Sequence, residues 1–424
     1  MNDFSHLKRL SAVKTNAGVK LLTPAAGPGS HCPMHTALAL SKQTAGLSTL
    51  VVGTPECATY GRMAVPQSRG KRGELHWLYV LDANEAVFGC REGLMKALEK
   101  MENAGAKAIL LIVTCVPELI GEDMEGILHE IQPKLRAKLA FVLLAHFKCN
   151  SYPSGFWKTL LAFGELMEGQ PKESRTVNVL ANVKKEEDSD SDLPGLLRKE
   201  GFQLRFLTSG ASLDDFLNAS DAALNLVLSP YGQPLADRME RLFNIPYVSL
   251  HSLYQVEEID GAFEKAEDVL RISIQENFQE ERQKALCLQE TSRDWLCGKR
   301  YILADIGQTL PIPLAVYLAR FGMEPLLLHA EEFYPDDKGF AKALLEKGYD
   351  PPVCHMANPE ADSQLISHLS ANFCLGFLPY CPIPCLPELS GLLSGSGYRR
   401  TAGLLSTIRN IMAKEEEHHG TVPV

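Results

Sequence analysis

Short apolar segments alternate with helical segments along most of this chain. Ala108–Val113 and Leu139–Ala145 are continuous apolar runs of strand length, and such runs are typical of strands buried on both faces of a sheet. Glu92–Asn103 has its apolar residues at helical spacing. The alternation therefore predicts an α/β fold in which parallel sheets are flanked by helices. Because no run of about 18 apolar residues occurs, we expect no membrane-spanning helix and no membrane partner.

The length of the chain predicts more than one domain. At roughly 150 residues per domain, 424 residues correspond to about three. We place the domains at residues 1–168, 169–298 and 299–424. The charged, serine-rich run Lys184–Asp192 is interpreted as a surface loop of the second domain. Gly261–Leu296 is interpreted as one long helix that can connect domains.

Composition narrows the function classes and the compartment. Acidic residues outnumber basic residues by 52 to 42, which argues against nucleic acid as the main ligand because phosphate backbones select basic surfaces. The 11 cysteines are too sparse for a disulfide scaffold. Met1–Ser11 lacks the apolar segment of a secretory signal. We therefore expect a cytoplasmic protein, in which each cysteine is a packed side chain, a metal ligand or a catalytic group.

Three cysteines of the first domain follow predicted strands or begin predicted helices. Cys32 lies at a helix start, Cys57 follows strand Ser48–Val52 by one tight turn, and Cys115 directly follows strand Ala108–Thr114. Ligands of open parallel sheets bind at the carboxyl ends of strands, and thiolates suit iron–sulfur clusters or zinc. No C-x-x-C pair occurs among these cysteines. The residues alone leave two interpretations open: a cluster assembled from separate strand ends, or three ordinary half-buried thiols.

A second group of cysteines lies in the third domain. Cys381 and Cys385 flank a Pro-Ile-Pro segment, and the prolines hold that loop extended so that both thiols are presented as half of a candidate second metal site. Cys354 and Cys374 lie in the same domain, and buried or loop thiols are the favoured interpretation of all four. The other cysteines are interpreted as structural: Cys90, Cys149, Cys287 and Cys297.

Several polar residues have weaker signals. His31 and His35 flank Cys32 and could donate to cluster sulfurs or line a proton path, although solvated loop histidines are favoured. Glu122 and Asp123 precede a predicted helix and are expected to cap it. A basic loop could steer an acidic partner by long-range attraction, or it is simply a solvated surface loop. Its residues are Arg62, Arg69, Lys71 and Arg72.

Several segments resemble motifs of the nitrogenase component 1 family. Thr114–Asp123 is very similar to that family's third cysteine motif and is the most specific match. The loops around Cys32 and Cys57 resemble its first and second cysteine loops, and Asn84–Gly89 resembles its acidic E-x-V-F-G turn. Further matches follow in the family's order: Ser151–Leu161, Leu224–Val227, Arg238–Pro246 and Gly397–Tyr398. The family comprises nitrogenase catalytic subunits, cofactor-assembly scaffolds and tetrapyrrole reductases.

The resemblance implies three Rossmann-like domains and a dimer with an iron–sulfur cluster at the subunit interface. It implies that Cys32, Cys57 and Cys115 hold this cluster, of the 4Fe–4S or P-cluster-like type, with a fourth ligand from the partner. The partner would be a second component 1-type subunit, identical or different, in a dimer or a tetramer. Electrons would arrive from a separate ATP-dependent iron protein. The sequence has no Walker loop, so this chain is not expected to hydrolyse ATP in that way.

The sequence also departs from the family pattern. Ser229 stands where catalytic α subunits and one type of scaffold subunit carry a cofactor-binding cysteine, and neither His355 nor His368 has the context of the family's cofactor-binding histidine. Because serine is a poor ligand compared with thiolate, we expect no molybdenum-type cofactor on this chain.

The favoured function is a nitrogenase-like reductase component that relays low-potential electrons through its cluster to a bound substrate or cofactor. The substrate would be organic, such as a tetrapyrrole or a sulfur compound, or the chain is a β-type partner subunit. Two alternatives stay open. One is a non-catalytic scaffold subunit for the assembly of a nitrogenase-type metal cofactor, and the other is a binding module that has lost its cluster.

Overall fold

Parallel strands and the helices between them make up most of the protein. The computed structural model describes residues 4–24, 32–148, 152–180, 193–208, 210–307, 309–334, 336–387, 389 and 395–420. The strands are β1 (Lys8–Arg9), β2 (Lys20–Leu21), β3 (Ser48–Gly53), β4 (His76–Val80), β5 (Ala108–Val113), β6 (Lys138–Leu143), β7 (Glu173–Leu180), β8 (Gln203–Phe206), β9 (Ala222–Val227), β10 (Tyr247–Ser249), β11 (Arg300–Leu303), β12 (Glu324–His329), β13 (Pro352–His355), β14 (Phe373–Leu375) and β15 (Cys385–Leu386).

The α-helices follow the same alternation. They are α1 (Pro33–Gln43), α2 (Pro55–Ala64), α3 (Glu85–Phe88), α4 (Arg91–Asn103), α5 (Cys115–Leu119), α6 (Met124–Ile131), α7 (Tyr152–Phe163), α8 (Leu193–Lys199), α9 (Leu213–Leu217), α10 (Gln233–Phe243), α11 (Val256–Leu270), α12 (Gln279–Leu296), α13 (Pro311–Ala319), α14 (Asp337–Glu346), α15 (Pro359–Ile366) and α16 (Gly397–Gly420). The predicted α/β class with parallel sheets flanked by helices is confirmed.

The first sheet has the strand order β4-β3-β5-β6, and every neighbouring pair is parallel. β5 is buried along its whole length, as its continuous apolar sequence predicts, and β3 is buried along its whole length too. The prediction of full burial is wrong for the other apolar run, since only three of the six residues of β6 are buried and Leu143 is exposed. Pro33 and Pro55 each occupy the first position of a helix, where the fixed φ of proline suits the helix and its missing N–H is not needed. α2 therefore begins directly after β3, at the carboxyl edge of this sheet.

The second sheet has the order β10-β9-β7-β8, in which β7 is parallel to both β8 and β9. Two buried amides lie side by side in it: Nδ2 of Asn178 donates to Oδ1 of Asn225 at 2.8 Å. This bond satisfies polar groups that burial would otherwise leave unpaired. The segment Lys184–Asp192, predicted to be a surface loop, lies outside the described residues.

The third sheet has the order β1-β13-β12-β11-β14-β15, and β2 also pairs with β13. β1 runs antiparallel to β13 and β2 runs parallel to it. The N-terminal segment, expected in the first domain, thus adds strands to a sheet built from the C-terminal part of the chain. It covers the exposed backbone of an edge strand that would otherwise be open to pairing.

The prediction of one long helix over Gly261–Leu296 is wrong. α11 and α12 are separate helices, because Arg271 follows α11 in the left-handed conformation with a φ of 57°. The carboxylate of Glu267 accepts hydrogen bonds from the N–H groups of Ile274 and Gln275 in the turn between the helices. These bonds satisfy donors that a continuous helix would have paired internally.

The chain divides into two compact units. One comprises residues 1–29, 190–196 and 248–424, and the other comprises residues 30–189 and 197–247. The first sheet lies in the unit that comprises residues 30–189 and 197–247. The third sheet lies in the other unit. The division into three domains at residues 168/169 and 298/299 stays a prediction. Within the described part of the chain, no helix combines the length and apolarity that crossing a membrane requires.

Candidate metal centre at the carboxyl edge of the first sheet

Cys57 lies in the first turn of α2, immediately beyond the end of β3. Its Sγ is 3.6 Å from Oγ1 of Thr114 and 3.8 Å from Oγ1 of Thr54. Oγ1 of Thr114 in turn donates to the carbonyl of Val52 at 2.8 Å. Gly53 makes this approach possible, because a Cβ there would lie 2.3 Å from Oγ1 of Thr114 and 2.9 Å from Sγ of Cys57. The half-buried thiol is therefore held against the end of β5 by backbone packing.

Cys115 begins α5 directly after β5. Its Sγ accepts a hydrogen bond from the backbone N–H of His146 at 3.2 Å. The segment that supplies this donor is anchored by Glu118, which accepts from the N–H of Ala145 at 2.8 Å and pairs with Lys148 at 2.7 Å. The loop after β6 is thus fixed to the cysteine that follows β5.

Cys32 immediately precedes α1, and it is half-buried. The start of α1 is packed tightly on α7, since a Cβ at Gly155 would lie 2.2 Å from the carbonyl oxygen of Pro33. One turn along α1, the ring of His35 lies 6.1 Å from the ring of Tyr60 on α2. Nε2 of His35 is buried and has no hydrogen-bond partner among the described residues. An unpaired buried donor or acceptor at this place is consistent with a group bound beside the three cysteines. His31 lies outside the described residues.

The structure therefore brings Cys57 and Cys115 to neighbouring strand ends and puts Cys32 on a helix that packs against α2. The three sulfur atoms do not all lie within 4.8 Å of one another. Among the described residues, only Cys374, Cys381 and Cys385 form a group of three ligands that close together. A single tetrahedral ion would require sulfur atoms about 3.8 Å apart. The wider spread fits an iron–sulfur cluster, whose thiolates bind different irons.

Two acidic side chains tie the remaining loops of this edge together. Glu85 accepts from the hydroxyl of Tyr79 and from the N–H of Asp82, so it fixes the turn that begins α3. Glu122 was expected to cap α6, but it instead accepts from the N–H of Cys90. Asp123 alone caps α6, accepting from the N–H of Gly126 at 2.9 Å. Cys90 is buried in the core. Burial is the main cause that raises the pKa of its thiol, and the negative charge of the nearby Glu122 is the second. Both agree with the interpretation of Cys90 as a packed side chain.

Large apolar side chains are exposed around the same edge. Phe88 on α3 is 85 % exposed and Leu119 on α5 is 71 % exposed. Others in the helices and loops that follow the four strands of the first sheet are Tyr60, Met63, Val87, Ile120 and Phe147. We call this group the carboxyl-edge apolar surface. Exposed apolar side chains gathered on one edge are a feature of protein–protein interfaces.

The sites suggested by other sequence signals lie elsewhere. Ser229 is buried just after β9, and its Oγ accepts from the N–H of Tyr231 at 3.2 Å, so it forms a local turn. His355 lies on β13, with its ring 5.4 Å from that of His329. The basic residues Arg69, Lys71 and Arg72 line a cavity of about 600 Å³, near the amino ends of β3 and β4 and away from the cysteines.

Sequence reasoning missed Gly53 and Thr114. Gly53 directly follows the predicted strand Ser48–Val52 and Thr114 ends the predicted strand Ala108–Thr114, so their positions at strand ends were the available signal. Their contact with Cys57 depends on the pairing of β3 with β5, which a single sequence does not reveal. The anchoring of Cys115 through His146 was equally hidden, since the two residues are 31 positions apart.

The fold and this edge define a class: an α/β protein with parallel sheets whose first sheet presents thiols from several strand ends. Comparison with known proteins identifies the family. The chain belongs to the nitrogenase component 1 type oxidoreductases, since the model of that family matches residues 32–411.

Solved structures show the same fold. A structure of nitrogenase Cp1 at pH 6.5 has a TM-score of 0.66 and 16% sequence identity, and the match covers 94% of this chain and 96% of that one. A structure of nitrogenase Cp1 at pH 5 has a TM-score of 0.53 and 16% identity, with 98% and 95% covered. The family resemblance predicted from the cysteine motifs is confirmed.

Proposed function

We propose that this chain is a subunit of a nitrogenase-like reductase that relays low-potential electrons from an ATP-dependent iron protein to a bound substrate or cofactor. An iron–sulfur cluster, 4Fe–4S or P-cluster-like, would be held by Cys32, Cys57 and Cys115 at an interface with a second component 1-type subunit. The observation that supports this most is the joint placement of half-buried thiols and exposed apolar side chains on one edge. The cytoplasm, where thiols stay reduced, is part of the proposal.

The residues around the thiols fit such a group. When bound, an iron–sulfur cluster accepts and releases one electron at a time. The N–H of His146 donates to Sγ of Cys115, and hydrogen bonds to cluster sulfurs set the reduction potential. Gly53 keeps the backbone close to Cys57. Nε2 of His35, which is buried and has no hydrogen-bond partner among the described residues, is available for a hydrogen bond to a bound group.

The carboxyl-edge apolar surface supports a partner at the same place. Its side chains lie on α2 or on and just after α5, the helices that carry Cys57 and Cys115, or in the segments that follow β4 and β6. A subunit covering them would also exclude water from the half-buried thiols and could supply a fourth ligand. The occupant we propose is a component 1-type subunit, either a copy of this chain or a related one.

The test is metal analysis of protein purified without air. Wild-type protein should contain iron and acid-labile sulfide, with about four irons per cluster if the cluster is 4Fe–4S, and should have the electron paramagnetic resonance signal of a reduced cluster. The variant Cys32→Ala/Cys57→Ala/Cys115→Ala should have iron and sulfide at background. The matched control is Cys287→Ala/Cys297→Ala, whose cysteines are exposed on or just after α12.

Wild-type protein without iron after anaerobic reconstitution would contradict the proposal, as would a triple variant with wild-type iron. Turnover then separates the relay from the scaffold alternative. A relay subunit supplied with its iron protein and ATP reoxidises its cluster when substrate is added. A scaffold subunit transfers metal cargo to an acceptor protein and turns over no substrate.

A further inference from the structure

A second set of cysteines lies close together in the third sheet. The Sγ atoms of Cys374, Cys381 and Cys385 are all within 4.8 Å of one another. We propose that these three residues form a second metal site, which binds a single Zn²⁺ ion through three thiolates and leaves the fourth position to water. This site is independent of the proposed iron–sulfur cluster.

Strand pairing places two of the thiols side by side. β14 and β15 are parallel neighbours, and Cys374 is in register with Cys385. The N–H of Cys374 donates to the carbonyl of Pro384 at 2.8 Å. Residues in register on adjacent parallel strands project from the same face, with a strand spacing of about 4.8 Å. The backbone therefore presents both thiols to one point.

The loop between the two strands returns the third thiol to that point. Gly376 begins the loop with a φ of 105°, and a Cβ there would lie 2.6 Å from the carbonyl oxygen of Asp305. Tyr380, directly before Cys381, adopts a φ of 61°, which is uncommon for a residue other than glycine. Unfavourable backbone conformations of this kind persist where the surrounding structure determines them and concentrate at ligand sites. Here the conformation directs Cys381 toward the strand ends.

The spacing of the sulfur atoms selects a single ion. A Zn–S bond of about 2.3 Å places thiolates about 3.8 Å apart in a tetrahedral site, so shifts of no more than about 1 Å would complete this one. Thiolates that bind different irons of a cluster must lie farther apart. Within the described residues no histidine or carboxylate joins the set, and Cys381 and Cys385 are only half-buried, which leaves room for a water ligand. Binding of Zn²⁺ forms three Zn–S bonds and releases the protons of the three thiols to solvent.

The apolar surroundings favour a retained ion. Leu378, Ile383 and the buried Cys354 pack in the same cluster of side chains as the three cysteines. As a thiol, Cys385 donates to the carbonyl oxygen of Gly376 at 3.5 Å, and this bond is given up when the thiol loses its proton to bind Zn²⁺. Cys354 does not belong to the set whose sulfur atoms converge, so it is a packed residue here.

The experiment uses the full chain, purified without air, treated with a chelator and then titrated with Zn²⁺ in the presence of a competing indicator. A single ion should bind to wild-type protein and should raise the midpoint of thermal unfolding. Substituted Co²⁺ should show the charge-transfer and visible bands of tetrahedral thiolate coordination. Cys381→Ser should weaken Zn²⁺ binding by more than about 100-fold, because losing a ligand costs more than losing a residue that only hydrogen-bonds to a ligand. The control Cys297→Ser, at an exposed cysteine, should leave Zn²⁺ binding unchanged.

Because Cys374 is buried and its replacement can disturb folding, the half-buried Cys381 and Cys385 are the positions to vary. The same titration in the Cys32→Ala/Cys57→Ala/Cys115→Ala background should still show Zn²⁺ binding, which separates this proposal from the proposed cluster. Equal affinity of wild type and Cys381→Ser would overturn the proposal. So would a disulfide among the three cysteines in anaerobic protein, or an iron–sulfur spectrum that disappears in Cys381→Ser.

Discussion

The two cysteine sets of this protein differ in how the fold assembles them. Cys32, Cys57 and Cys115 come from three separate helix starts, and their sulfur atoms do not all lie within 4.8 Å of one another. The other set, Cys374, Cys381 and Cys385, comes from two paired strands and one short loop, and its sulfur atoms do lie within that distance. The first set is surrounded by exposed apolar side chains, and the second is packed in a core. A widely spaced set suits a multinuclear group shared with a partner, and a closely spaced set suits one ion.

The largest expected effect is a double dissociation of metals. Cys115→Ala should abolish iron binding and retain Zn²⁺ affinity, because it removes a thiol at the end of β5 only. Cys381→Ser should abolish tight Zn²⁺ binding and retain iron. Parallel iron and zinc analysis of both variants checks this. Loss of both metals in either variant, with the fold intact by circular dichroism, would mean that the two sets do not act separately.

The second effect concerns assembly. Phe88→Asn should weaken association with the partner subunit, or self-association, by about 30-fold or more if Phe88 is a hot spot of the interface, because truncating a hot spot costs at least about 2 kcal/mol. Tyr380→Asn is the matched control, since Tyr380 is also exposed, at 73 %, but adjoins the second set. Sedimentation velocity of anaerobic protein measures both. A larger effect of Tyr380→Asn would move the interface to the third sheet.

A third prediction tests how tightly the first set is packed. Gly53→Ala should lower the free energy of unfolding of the metal-free protein by about 1–3 kcal/mol, because the added methyl group overlaps Thr114 and Cys57. Gly169→Ala is the control, since nothing lies within 4 Å of a Cβ there. Urea unfolding provides the measurement. If the two variants are equally stable, the end of β3 adapts freely and Gly53 does not fix Cys57.

These comparisons show how far the sequence alone could reach. The apolar run of β5 predicted a buried parallel strand, and the cysteine motifs predicted the family, because both are local patterns. The pairing that aligns Cys374 with Cys385 depends on the two-residue strand β15, which is too short to leave a pattern in the sequence, so only the Cys381–Cys385 half of that set was visible. The turn at Arg271 was also hidden. The N–H groups of that turn donate to the side chain of Glu267, seven and eight positions earlier in the chain, and no local sequence pattern reveals such a bond.

A fourth prediction concerns the support beneath Cys115. Glu118→Ala should cost about 1–3 kcal/mol of unfolding free energy, because the N–H of Ala145 loses its buried acceptor. It should also shift the reduction potential of a bound cluster, since the donor to Sγ of Cys115 is the next N–H along the chain. Glu118→Gln keeps an acceptor and should restore most of both. A shift in potential that Glu118→Gln fails to restore would assign the effect to charge rather than to position.

The smallest expected effect comes from the other end of the same ion pair. Lys148 pairs with Glu118 at 2.7 Å, but its side chain is 54 % exposed while that of Glu118 is 7 % exposed. Lys148→Ala should therefore cost less than about 1 kcal/mol, and the cost should shrink as salt is added because exposed charges are screened. Urea unfolding at low and high ionic strength measures it. A cost equal to that of Glu118→Ala would mean that the charge of Lys148, and not the hydrogen bond to Ala145, holds the loop after β6 against Cys115.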